Sequence, residues 1–139
     1  MRLTSFTDYG LRMLMRMAST PSKAYSSADL AEEFGLSRNH LAKIMQQLSR
    51  GGIIATRRGT GGGAVLRLSP RDIRLGQVVA LLEEGQSLVE CMGAPGANCT
   101  LDRCCGLKAR LRHAEARFIE DLDRSTLADI ALPVPEPAS

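Results

Sequence analysis

The chain has 139 residues, a net charge of +3 and four cysteines, a length that supports one small domain with an appendage rather than two independent cores. No apolar run reaches the length of a membrane span, and residues 1–8 lack the apolar core of a secretory signal, so a soluble cytoplasmic protein without a membrane partner is expected. The charge is uneven: residues 1–75 carry 12 Lys/Arg and 5 Asp/Glu, a balance of +7, whereas residues 76–139 carry 6 and 10, a balance of −4. A basic front half beside an acidic back half suits a partner that is a polyanion, although a solvated helix face gives a similar signal.

In chain order, Phe6, Tyr9, Met13, Leu14 and Met17 recur at three- and four-residue steps, which predicts an amphipathic helix from about 5 to 18. Asp8 lies in its first turn, where the helix dipole alone favours an acid. Two short helices follow. Ser26 or Ser27 caps the first and Gly35 ends it; Ser37 caps the second, which runs to about 49. This is a helix-turn-helix pattern, whose second helix places its first residues in the major groove. Those residues are Ser37, Arg38, Asn39 and His40, with Lys43 one turn on, and all can contact base edges or phosphates. His40 also reads as an ordinary surface histidine. Two β-type runs, 53–57 and 64–68, flank a glycine-rich tip and predict a hairpin. Its glycines do not match a phosphate-cradling loop, which needs Gly-Lys-Ser/Thr opening a helix. Arg57, Arg58 and Arg67 instead make it a basic wing for backbone or minor-groove contact. The fold class expected is mainly α with a small β-hairpin wing, a winged helix-turn-helix.

Residues 70–84 read as a further helix, apolar at Ile73, Leu75, Val78, Val79, Leu81 and Leu82. All four cysteines then fall in one stretch, at Cys91, Cys99, Cys104 and Cys105, within a Gly/Pro-rich segment. Thiolates gathered on a pliable backbone suit a soft metal centre. Zinc sites usually draw on C-x2-4-C pairs, which are absent here, so zinc is disfavoured but stays open, and a reducing compartment argues against a permanent disulfide. From about 106 to 123, Leu107, Leu111, Ala114, Phe118 and Leu122 form a single apolar stripe among charges, the pattern of a long helix that pairs with a second copy. A last turn restarts at Ser125 or Thr126, and a disordered tail follows. Four regions result: 1–84 for DNA binding, 85–105 for the cysteine loop, 106–131 for the dimerisation helix, 132–139 for the tail. The chain offers no paired carboxylates and no Ser/His or Cys/His constellation, so an enzyme is not expected.

Winged helix, cysteine loop and pairing helix in that order resemble the Rrf2 family of bacterial transcription regulators. The likeness is carried by Leu3-Thr-Ser-Phe-Thr-Asp-Tyr-Gly-Leu-Arg12, Leu36-Ser-Arg-Asn-His-Leu-Ala-Lys43, Arg58-Gly-Thr-Gly-Gly-Gly-Ala-Val-Leu66 and Asn98-Cys-Thr-Leu-Asp-Arg-Cys-Cys-Gly-Leu-Lys108. It implies a homodimer on double-stranded operator DNA with an iron–sulfur cluster held by three cysteines. The Cys-x5-Cys-x-Leu-Lys pattern places two of them on Cys99 and Cys105, with Cys91 the first. Cys104 adjoins Cys105 and stays an alternative. Within the family the chain resembles the nitric-oxide-sensing repressors with a [4Fe-4S] cluster, which implies Asp8, supplied across the dimer, as the fourth ligand. The [2Fe-2S] type takes a histidine three residues after the third cysteine, where this chain has Lys108, a protonated amine; a [2Fe-2S] redox or iron–sulfur-status sensor remains the alternative. The gap from Cys91 to Cys99 is long for the family.

Overall fold

The computed structural model describes residues 1–59, 63–88 and 106–135. Helix α1 (Ser5–Ser19) begins where the Thr4 hydroxyl accepts the Thr7 N–H at 3.2 Å, satisfying an amide that the first helical turn leaves without a partner. Helix α2 (Ser27–Phe34) is capped by Ser26, which accepts the Asp29 N–H at 3.0 Å, and ends at Gly35 with φ 65°. Helix α3 (Arg38–Arg50) is capped by Ser37, which accepts the His40 N–H at 3.1 Å. The three helices turn their apolar stripes inward. Met13, Leu14 and Met17 of α1, Leu30 of α2, and Leu41, Ile44 and Leu48 of α3 share one core with Ile53 and Ile54.

Strands β1 (Ile54–Arg57) and β2 (Gly63–Leu66) pair antiparallel, with Ile54 opposite Leu66 and Arg57 opposite Gly63. Each is shorter than the β-type run that predicts it. Tyr25 and Ala64 exchange N–H to carbonyl bonds at 2.8 Å in both directions, which ties the tip-side end of β2 to the turn before α2.

The helix expected over residues 70–84 is broken. A 3-10 turn (Pro70–Asp72) gives way to extended backbone at Ile73, and helix α4 starts only at Leu75, running Leu75–Leu82. The cause lies far along the chain: the Ile73 carbonyl accepts the Leu127 N–H at 2.8 Å, and the Leu75 N–H donates to the Ser125 carbonyl at 3.1 Å. Residues 73–75 therefore serve as a short strand-like partner for residues 125–127, a pairing that local periodicity does not reveal.

Helix α5 (Gly106–Leu122) packs its C-terminal part on α4. The approach is close at Gly76, where a Cβ would fall 2.4 Å from both the Ile119 carbonyl oxygen and Asp123 Oδ1. Asp123 Oδ1 also accepts the Gln77 N–H at 2.9 Å, using an amide in the first turn of α4. After α5 the chain returns to the first helix. Thr126 and Asp129 form a capping box at the turn Leu127–Ile130, Leu127 is fully buried, and the Leu132 N–H donates to the Met15 carbonyl at 3.2 Å. Helices α1 to α4, the wing and a C-terminal strap thus share one core among the described residues, while the start of α5 is largely exposed.

Candidate nucleic-acid interface and cluster site

The candidate recognition surface is the exposed side of α3. Ser37, Arg38, Asn39 and Lys43 are exposed, and Ala42 and Gln46 join them at the next three- and four-residue steps. Gln46 extends the face by a turn beyond Lys43, and stepping on from Asn39 by three and seven residues in the sequence reaches Ala42 and Gln46. Arg38, Ala42 and Gln46 line a groove with Ser27 at the start of α2 and Thr56 on β1. Arg57 and Arg58 are exposed on the wing beyond it. Helix α3 and the wing therefore expose seven hydrogen-bond donors, Ser37, Arg38, Asn39, Lys43, Gln46, Arg57 and Arg58, with a small residue, Ala42, where a base edge could approach closely.

His40 stands apart from this group. It is half-buried, its ring 6.3 Å from Phe6 and 6.2 Å from Tyr9, the latter edge-on. Such aromatic contacts favour these separations, so His40 fastens the start of α3 to the start of α1. Arg12 lies over the other neighbour, 5.2 Å from the Tyr9 centroid.

Asp8 sits one turn into α1, half-exposed, and both of its carboxylate oxygens accept from Arg12 at 3.0 Å. An exposed pair spaced by four residues stabilises a helix by only about 0.3–0.5 kcal/mol. A carboxylate oxygen also keeps a further lone pair, so the ion pair leaves Asp8 able to meet a metal. The expected ligands Cys91, Cys99 and Cys105, and the alternative Cys104, lie outside the described residues. Among the described residues no three His, Cys, Asp or Glu side chains converge as a metal site. The donor set of three thiolates and one carboxylate fits an iron–sulfur cluster chemically. Lys108, where the [2Fe-2S] type has its histidine, falls in the first turn of α5.

One cluster of polar groups escaped the sequence reading. At the end of α4, Glu83 accepts the Thr4 N–H at 3.1 Å, the Thr4 hydroxyl at 2.5 Å and the Thr7 hydroxyl at 2.6 Å. Burial pushes its carboxyl up, but the hydrogen bonds from Thr4 and Thr7 outweigh this and hold it below the usual glutamate range. No local signal could have paired residues 79 positions apart.

A capped helix-turn-helix with a basic wing is the architecture of a winged-helix DNA-binding regulator. The chain belongs to the Rrf2 family: the family model described as an iron-dependent transcriptional regulator matches residues 3–132. It is 38% identical over 131 residues to the HTH-type transcriptional regulator NsrR of Bacillus subtilis (strain 168), covering 94% of this chain and 90% of that one. Among solved structures it resembles CymR, the global cysteine regulator of B. subtilis, with TM-score 0.70 and 26% identity over 94% of this chain and 96% of that one. The oxidized form of Staphylococcus aureus CymR aligns with TM-score 0.68 and 28% identity over 98% and 100%. T. potens IscR has the same fold, with TM-score 0.70 at 24% identity over 94% and 85%. No helix among the described residues is long and apolar enough to cross a membrane.

Proposed function

We propose that this protein is a homodimeric, cytoplasmic repressor that binds a pseudo-palindromic operator while a [4Fe-4S] cluster is intact and releases it when nitric oxide attacks the cluster. The observation that carries this reading is the joint presence of Asp8 on α1 and the Cys91, Cys99, Cys105 pattern in a chain 38% identical to an NsrR. When bound, the cluster supplies iron that reacts with nitric oxide. Three cysteines of one protomer would hold it, with Asp8 of α1 as the fourth donor, contributed across the dimer.

The chain's own residues supply the rest. Arg38, Asn39, Lys43 and Gln46 enter the major groove, with Ser37 bonding a phosphate from the start of α3. Arg57 and Arg58 neutralise backbone phosphates from the wing. His40 stacks against Phe6 and Tyr9, so a displacement of α1 at Asp8 shifts the start of α3 with it. A carboxylate is a harder ligand than a thiolate and holds iron less firmly, which makes the Asp8 position the point where the assembly gives way first.

Ultraviolet-visible and Mössbauer spectra of protein purified without oxygen, followed by stepwise nitric oxide and operator binding, test the proposal. A [4Fe-4S] signal that collapses together with operator binding is expected. Equal operator affinity with and without the cluster would sink the reading. The adjacent Cys104 and Cys105 support a second reading, a [2Fe-2S] or thiol-based redox sensor, which a [2Fe-2S] spectrum would favour. A colourless zinc protein would keep the winged helix and replace the signal. Replacing Cys91, Cys99 or Cys105 by Ser should abolish the colour and Cys104→Ser should keep it. Asp8→Ala should shorten cluster lifetime with the domain still folded.

A further inference from the structure

The last two residues of α4 and the two that follow it hold both α1 and α3, the inner pair one helix and the outer pair the other. The Leu81 carbonyl accepts the Gln47 side-chain amide of α3 at 3.1 Å, and the Leu81 side chain fills the space beside Gly51, where a Cβ would fall 2.3 Å from it. The Leu82 side chain sits over Gly10 of α1, 2.6 Å from the position of a Cβ there. Glu83 receives Thr4 and Thr7 of α1. Glu84 accepts the Gln47 amide at 3.0 Å and lies 3.8 Å from Arg50. Leu81 and Glu84 thus hold α3, and Leu82 and Glu83 hold α1. Cys91 follows Glu84 by only seven positions, a tether of at most about 25 Å when fully extended.

We propose that Leu81 to Glu84 form the joint through which the cysteine segment acts on the recognition helix, with Gln47 and Glu84 as its positioning residues. Neither residue need touch DNA or cluster. The Arg50–Glu84 pair is exposed on both sides and carries little by itself; the weight falls on the two bonds of the single Gln47 amide, which fix the last turn of α3 to the residue where α4 gives way to the cysteine segment. A shift of that exit displaces the last turn of α3 and tilts the helix about its first turn, where His40 meets Phe6 and Tyr9, and so changes the aim of Arg38 and Asn39. The inference rests on the proposed cluster-controlled operator binding.

The experiment compares operator affinity of the full-length protein with its cluster loaded and with its cluster removed, for the unaltered chain, Gln47→Ala, Glu84→Ala and the double variant. Coupling between two sites is the ratio of those affinities. The expected result is a ratio at least fivefold smaller in Gln47→Ala and Glu84→Ala, a double variant no worse than the more affected single one, and an unchanged cluster spectrum. Glu33→Ala, which removes the Arg16 bond at 2.8 Å between α1 and α2, should keep the full ratio. If the variants lower both affinities equally and keep the ratio, Gln47 and Glu84 are merely structural and the joint is overturned. A ratio of one in the unaltered chain overturns the proposed function, and the joint with it.

Discussion

Arg38 and Asn39 differ from Arg57 in what each can read. Both α3 side chains stand at the exposed start of a helix sized for the major groove, where Arg meets guanine and Asn meets adenine with paired hydrogen bonds. Arg38→Ala or Asn39→Ala should therefore relax sequence choice at a cost of about 1–3 kcal/mol per lost base contact, whereas Arg57→Ala should weaken every sequence alike and flatten the salt slope by about one. Binding titrations on operator and mutated operator at several salt concentrations decide it; a change of sequence preference in Arg57→Ala would contradict the wing assignment. Glu83 gives a second test at this scale. Its folded carboxyl is held below the ordinary glutamate value of 4.5, so its contribution is complete at neutral pH and is lost as pH falls through the folded value. The melting temperature of Glu83→Gln should lie below that of the parent at pH 7, and the gap should narrow as pH is lowered beneath the ordinary glutamate value of 4.5. A gap that is constant over that span would mean that the charge of Glu83 is not what holds Thr4 and Thr7.

At the scale of elements, capping and periodicity were legible because both are local. Ser26, Gly35 and Ser37 bound α2 and α3 within a residue of where the sequence puts them, and α5 ends at Leu122 where the apolar stripe ends. The break at Ile73 was not legible, because its cause is the backbone of residues 125–127. His40 was placed on the DNA side by its position in the first turn, yet its contacts are with Phe6 and Tyr9, which only the crossing of α1 and α3 brings near. Of the proposed cluster ligands, Asp8 alone lies among the described residues. The seam between α4 and α5 yields a prediction of its own. Gly76→Ala drives a methyl into the Ile119 carbonyl and Asp123, and neither a backbone carbonyl nor a carboxylate bonded to the Gln77 N–H can yield freely. A loss of about 1–3 kcal/mol in chemical denaturation is expected, the usual cost of overpacking; an unchanged midpoint would show that α5 is not seated as described.

For the molecule as a whole, α5 is the unfinished part. None of its 17 residues is buried, Leu107 is 62% exposed, and Leu111 and Phe118 are only half covered. An isolated helix with one apolar stripe gains most of its stability by packing that stripe, and a second copy supplies a matching one. Sedimentation of the parent should show a dimer, and Leu111→Asp should give a monomer whose winged helix still folds and whose operator affinity falls, because one half-site remains per molecule. A dimer that survives Leu111→Asp would move the interface off this stripe.

The strap that brings Leu127 and Leu132 back onto Ile73 and α1 makes residues 85–124 a closed excursion, anchored to the same body at departure and at return. Polypeptide continuity between the anchors is then dispensable for folding. Two separately expressed pieces, 1–88 and 106–139, should find each other and co-purify, held by the α4–α5 seam and the buried Leu127, and Leu127→Asp should part them. Such a split pair would let residues 89–105 be exchanged for a segment from another chain while the winged helix stays untouched.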